Sequence, residues 1–192
     1  MKKKLFAVML GILIVLVGCS ESEIETNMSE TVPDFEYINQ DNETVGLADL
    51  EGKWWIADFI FTNCTSVCIP MTNNMVYLQQ QLKDEGLNDV MLVSFSVDPD
   101  YDTPEVLKSY AESYGADVTN WHFLTGYDFE TIKEFSIKNF RNLVKEPMPG
   151  DDQVQHGTRF FLVNPEGKVI KNYGGLNRDE LDLIVEDLKI VY

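Results

Sequence analysis

Apolar and polar residues fall into stretches of different period along the chain, and each period predicts a different element. Leu5 to Val17 is an apolar run of 13 residues containing one glycine, Gly11; a bilayer-spanning helix needs about 20. Ser20 to Val32 is rich in Glu, Ser, Thr and Asn with no apolar period, which predicts a flexible tether. Phe35 to Ile38 and Thr44 to Leu47 flank the polar Asn39-Gln40-Asp41-Asn42 and predict an N-terminal β-hairpin. Trp54 to Phe61 is nearly continuous, apolar and β-prone, the pattern of a strand covered on both faces. Met71, Met75, Leu78 and Leu82 recur at helical spacing, predicting an amphipathic helix from about Pro70 to Glu85. Val90 to Val97 repeats the buried-strand pattern. Thr103-Pro104-Glu105 then supplies a cap and a first-turn proline for a helix stopping at Gly115. Trp121 to Leu124 is strand-like, Asp128 to Asn139 helical and Thr158 to Asn164 a strand. The turn Pro165-Glu166-Gly167-Lys168 leads into Val169 to Tyr173, and Asp179 to Lys189 closes the chain as an amphipathic helix.

Strands alternating with helices, then a hairpin and a last helix, predict an α/β domain over residues 33–192, with a central mixed sheet flanked by helices on both faces. That order matches a thioredoxin-like fold, with the N-terminal β-hairpin as an extension. With 192 residues, 44% hydrophobic and 11% aromatic, there is material for one packed core, which excludes a disordered or collagen-like chain. The formal net charge is −17, from 15 Lys and Arg against 32 Asp and Glu. No basic cluster follows Lys2, Lys3 and Lys4, so nothing is available to neutralise phosphates and nucleic-acid binding is excluded. The acid excess favours solubility, and a monomer is expected.

Those three lysines change the reading of the N-terminus. A positive segment ahead of a short apolar run has the layout of an export signal, and Leu16-Val17-Gly18-Cys19 resembles a bacterial lipobox, in which the cysteine is lipidated and becomes the mature N-terminus. Residues 1–18 are therefore expected to be a lipoprotein signal peptide. Residues 19–32 are expected to be a tether held by lipidated Cys19 on the extracytoplasmic face of the cell membrane. Each buried acyl methylene would add about 0.8 kcal/mol of membrane affinity.

Candidate chemistry gathers after the first buried strand, in Phe61-Thr62-Asn63-Cys64-Thr65-Ser66-Val67-Cys68-Ile69-Pro70. Two thiols four residues apart at a helix start can face one side. The helix N-terminus favours their thiolates, the form needed both to attack a disulfide and to hold a soft metal. Thiolate sulfur suits Cu(I), with zinc as competitor, and imidazole suits copper in either oxidation state, so copper as Cu(I), Cu(II) or both is the expected cofactor. A closed structural zinc site wants four protein ligands, which two cysteines and two histidines supply only with strain. A structural disulfide suits an exported protein, yet so short a loop would stabilise less than the ~3 kcal/mol of a 15-residue loop.

His156 ends an irregular polar stretch from Lys145 to Gln155, a length of connection that is often functional. It precedes a strand whose entrance lies beside the thiols in a thioredoxin-like sheet, so it is the expected third ligand, carried to and from the sulfurs by its loop. His122, within Trp121-His122-Phe123, is expected to be an ordinary strand residue. Asp58 interrupts an apolar strand six residues before Cys64, the offset of the buried aspartate of thioredoxins; burial would raise its pKa and let it exchange protons with the thiols. Asp98, in Asp98-Pro99, either shapes a turn or tunes charge near a metal. Met71 and Met75 offer thioethers, but their helical stripe assigns them to the core.

These residues together resemble a known family. Asp58-Phe59-Ile60-Phe61-Thr62-Asn63-Cys64 with Cys68, then Ser96-Val97-Asp98-Pro99, Phe123-Leu124-Thr125-Gly126, and His156 ahead of Phe161-Leu162-Val163-Asn164-Pro165-Glu166-Gly167 closely resemble the Sco (SenC) family of copper-delivery proteins, from about Val32 to the C-terminus. The resemblance implies a thioredoxin-like fold and copper bound by Cys64, Cys68 and His156. It places Asp98 at a family carboxylate beside the site, and implies help in building the dinuclear CuA centre of cytochrome c oxidase subunit II. One departure is Ile69, where members commonly carry proline after the second cysteine; here Pro70 follows.

Two function classes stand side by side: a copper metallochaperone, and a thiol–disulfide oxidoreductase in which Cys64 and Cys68 keep the acceptor's cysteines reduced. The CxxxC spacing, and His156-Gly157-Thr158 where such reductases carry proline, favour the first. A peroxidase is disfavoured by Phe61, which stands where peroxiredoxins carry threonine. A copper or redox sensor would need a signalling partner.

Overall fold

The computed structural model describes residues 23–192. The expected signal peptide at 1–18 and lipidation at Cys19 lie outside the described residues. In chain order the elements are β1 (Glu30–Thr31), β2 (Glu36–Asn39), β3 (Thr44–Gly46), α1 (Leu47–Leu50), β4 (Trp55–Ile60), α2 (Cys68–Asp84), β5 (Met91–Ser96), α3 (Pro104–Tyr114), β6 (Trp121–Thr125), α4 (Phe129–Phe140), β7 (Val144–Lys145), β8 (Gln155–His156), β9 (Arg159–Val163), β10 (Lys168–Gly174) and α5 (Arg178–Val191). None of these helices is long and apolar enough to cross a membrane.

Eight strands form one mixed sheet in the order β1-β10-β9-β4-β5-β6-β2-β3. β4, β5 and β6 run parallel, and the remaining pairings are antiparallel. Every residue of β4 is buried, because the alternation of a strand sends successive side chains to opposite faces and both faces are covered. Trp55, Ala57 and Phe59 pack with Phe135 and Phe140 of α4, while Ile56 and Ile60 pack with Met71, Met75 and Leu78 of α2 and Leu181 and Ile184 of α5. Met71 and Met75 are core residues, as their stripe predicts. The expected hairpin forms as β2 and β3, and β2 also pairs with β6, so the extension is an edge of the main sheet.

The expected tether is corrected from residue 24 onward. Ile24, Met28 and Val32 are buried, the Asn27 and Met28 N–H groups donate to Ile170 O (both 3.0 Å) and Val32 N–H donates to Gly167 O (2.9 Å). β1 pairs antiparallel with β10, and Glu30 forms an ion pair with Arg141. Without this segment β10 would present a row of unpaired backbone groups. Three apolar residues spaced four apart in a polar stretch help to hold the segment down, and nothing in that spacing announces an extended, sheet-edge segment.

The irregular stretch after α4 is also more constrained than its composition suggests. Val144 pairs with His156 and Lys145 with Gln155, so a two-stranded ribbon closes the base of the 146–154 loop and carries His156 on one of its strands.

Candidate metal centre

β4 ends at Ile60, and the chain turns back through Thr62 to Val67 before α2 begins at Cys68, two residues earlier than the apolar stripe predicts. Pro70 therefore falls in the first helical turn, where no intrahelical partner awaits its missing N–H. Val67 provides no side-chain cap; the Cys68 N–H instead donates to Cys64 Sγ (3.4 Å), so the first sulfur sits at the positive end of α2. Ile69 is largely exposed, and the helix runs on through the position where the family commonly has proline.

Cys64 and Cys68 are buried, unlinked thiols. His156 Nε2 lies 3.2 Å from Cys68 Sγ, and His156 Nδ1 lies 2.9 Å from the Gly157 carbonyl oxygen. A carbonyl accepts only, so Nδ1 carries the proton and the Nε2 lone pair faces the sulfur, the tautomer a metal ligand needs. The ring also meets Phe61 edge to face, with centroids 5.7 Å apart. One ligand atom from each of Cys64, Cys68 and His156 lies within 4.8 Å of the others. The two sulfurs are unequal. Hydrogen bonding from Cys68 outweighs burial and holds the Cys64 thiol down at about 3, while its bond to Cys64 and burial push the Cys68 thiol well up. Of the two sulfurs, Cys64 therefore ionises the more readily and Cys68 keeps its proton the longer.

The sequence-predicted carboxylates are placed differently. Asp58 is fully buried on the α2 face of β4. Its Oδ1 accepts from Ser94 Oγ (2.5 Å), whose oxygen accepts from Trp121 Nε1 (3.0 Å), while its Oδ2 has no partner. Desolvation raises the Asp58 pKa to about 7 against the smaller opposing effects of Ser94 and His156. Asp98 is half-buried and shapes a turn: its backbone N–H donates to Ser96 Oγ (3.1 Å) and its carbonyl accepts from the N–H groups of Tyr101 and Asp102. Partial burial, then Asp100 and Asp152, push its carboxyl up. His122 is half-buried in β6 with its Nδ1 unpartnered, and it is no member of the sulfur–imidazole group.

Two residues that sequence reasoning passed over hold the thiol loop. Asp102, fully buried, accepts from Thr62 N–H (3.2 Å), Thr62 Oγ1 (2.5 Å) and Ser96 Oγ (2.6 Å). Gln153 Oε1 accepts from Thr65 N–H (3.1 Å), and Gln153 Nε2 donates to Asn63 O (3.1 Å). The signal for Asp102 was slight, an acid next to the helix-opening Thr103-Pro104; Gln153 had none beyond lying three residues before His156.

The SCO1/SenC family profile matches residues 23–191. The chain is 45% identical over 178 residues to the SCO1 protein homolog of Bacillus subtilis, covering 93% of this chain and 91% of that one. A solved SCO1/SenC family lipoprotein from Bacillus anthracis superposes with a TM-score of 0.82 at 45% identity, covering 88% of this chain and 98% of that one. Arabidopsis thaliana ScoI, solved with copper bound, superposes with a TM-score of 0.71 at 27% identity, over 83% of this chain and 98% of that one.

Proposed function

Because the chain belongs to the SCO1/SenC family, we propose that it is a copper-delivery protein that takes copper as cargo on Cys64, Cys68 and His156 and passes it to the CuA site of cytochrome c oxidase subunit II. The observation that carries this reading is the convergence of two sulfurs and an imidazole nitrogen within 4.8 Å. Two soft sulfurs and one nitrogen, without a carboxylate, suit Cu(I) better than a hard cation. Loading displaces the Cys68 proton, so affinity rises with pH until that thiol is ionised. Lipidated Cys19 is the proposed anchor on the outer face of the membrane, in keeping with the lipoprotein description of the B. anthracis relative.

Titration of the reduced chain with Cu(I) against a chromogenic chelator tests this. The expected result is one copper per chain, with Cys64→Ser, Cys68→Ser and His156→Ala each weakening binding by at least about tenfold. A reduced wild type with no tight site overturns it.

Thiol–disulfide exchange is a second reading, favoured by the seat of Cys64 Sγ on the first N–H of α2, which lowers its thiol relative to that of Cys68. In that reaction Cys64 attacks the acceptor's disulfide and Cys68 resolves the mixed disulfide, leaving the acceptor as a dithiol and this pair as a disulfide. The oxidised pair has lost both thiolate donors, so the two roles alternate on one site. His156→Ala separates them, since copper retention needs the imidazole and sulfur exchange does not.

A further inference from the structure

The 146–154 loop meets the thiol loop mainly through the side chain of Gln153, with Asp152 beside it. Gln153 Oε1 accepts from the Thr65 N–H (3.1 Å) and Thr65 Oγ1 (3.3 Å), while its Nε2 donates to Asn63 O (3.1 Å) and Asp152 Oδ1 (2.8 Å). Asp152 Oδ2 in turn accepts from Asn63 Nδ2 (3.2 Å). The amide orientation is fixed by its surroundings, because a flipped amide would set N–H against N–H and oxygen against oxygen. The two backbone groups it engages belong to Asn63 and Thr65, on either side of Cys64. The loop is shaped to present it: Asp151 N–H donates to Met148 O (2.9 Å), and Gln153 N–H donates to Asp151 Oδ1 (3.1 Å).

We propose that Gln153 is a positioning residue, a latch that fastens the loop leading to His156 onto the backbone flanking Cys64 and so sets the sulfur–imidazole geometry; this rests on reading Cys64, Cys68 and His156 as the copper site. The ribbon β7–β8 holds His156 from one side, and the latch holds the same loop from the other. Thr65 and Asp152 are exposed, so the latch bonds can be exchanged for bonds to water or to a docked chain without opening the core. Cargo is thereby held firmly while the latch is shut and loses its imidazole ligand when it opens.

The full chain, purified reduced in detergent, carries the test, with Gln153→Leu as the near-isosteric loss of the amide and Gln153→Ala as a second variant. Amide hydrogen exchange needs no metal: the Thr65 N–H is expected to exchange at least tenfold faster in both variants, together with amides of the 146–154 loop. Cu(I) competition is expected to show at least tenfold weaker binding for Gln153→Leu. The double variant Gln153→Leu/His156→Ala should bind no more weakly than His156→Ala alone, because a positioning residue has nothing to position once the ring is gone. Unchanged Thr65 exchange overturns the latch whatever the copper result. Losses that add in full in the double variant overturn its action through His156. A wild type that binds no Cu(I) removes the copper reading, while the exchange measurement still decides whether the latch exists.

Discussion

At the scale of single residues, the most consequential placement is that of Asp58, a carboxyl with one oxygen bonded to Ser94 and the other unpartnered in the core. Its folded pKa, about 7, lies above its ordinary value, so the folded chain holds a proton that the unfolded chain has released. That contribution is fully present below about pH 4 and is lost as pH rises toward 7, at about 1.4 kcal/mol per pH unit. Asp58→Asn imitates the protonated form and removes the dependence. Urea unfolding between pH 4 and 8 should show the variant gaining on the wild type through this window and levelling off above it. The difference isolates Asp58 from the opposite slope of Cys64, and superimposable profiles would refute the assignment. Asp58 could be singled out in the sequence because a lone acid inside an apolar strand is conspicuous. Asp102 could not, since its role depends on Thr62 arriving from 40 residues away.

At the scale of elements, the ribbon β7–β8 decides where His156 stands. Gly157 N–H donates to Leu143 O (3.0 Å), and a β-carbon at Gly157 would collide with Asn142 Oδ1. Asn142 is itself buried, with its Nδ2 donating to Ser136 Oγ (3.1 Å), so it cannot simply swing away. Gly157→Ala should therefore destabilise the chain by about 1–3 kcal/mol in urea unfolding and weaken Cu(I) binding in the same preparation. Unchanged values of both would mean that the ribbon tolerates displacement. Helix α2 shows the complementary case. Its apolar stripe is plain in the sequence, but the stripe begins at Met71, whereas the helix begins at Cys68 because the Cys64 sulfur serves as its cap.

At the scale of the whole molecule, the chain enters the fold at the pole opposite the thiols. Ile24 and Thr26 line, with Trp54, Ile170, Ile190 and Val191, an open surface pocket of about 480 Å³ at the end where β4 begins, and β4 then carries the chain about 20 Å to the other end. Cys19 precedes Glu23 by only four residues, a reach of about 14 Å. If Cys19 carries the proposed acyl chains, the pole bearing Tyr192 is expected to face the bilayer and the sulfur–imidazole site to face away from it. In vesicles carrying acceptor-labelled headgroups, a donor dye at position 192 should transfer more efficiently than one at position 148; equal or reversed efficiencies would refute this orientation. The sequence by itself determined the alternation of elements, the burial of β4 on both faces, the core role of Met71 and Met75, and the candidate set Cys64, Cys68 and His156. Each is written in local periodicity or in residue types too few and too reactive to be incidental. Tertiary structure alone decided that residues 24–32 complete a sheet edge, that Asp102 and Gln153 hold the thiol loop, and that a ribbon holds His156. Those depend on polar groups finding partners far along the chain, and a hydrogen bond between distant residues leaves no period in a sequence.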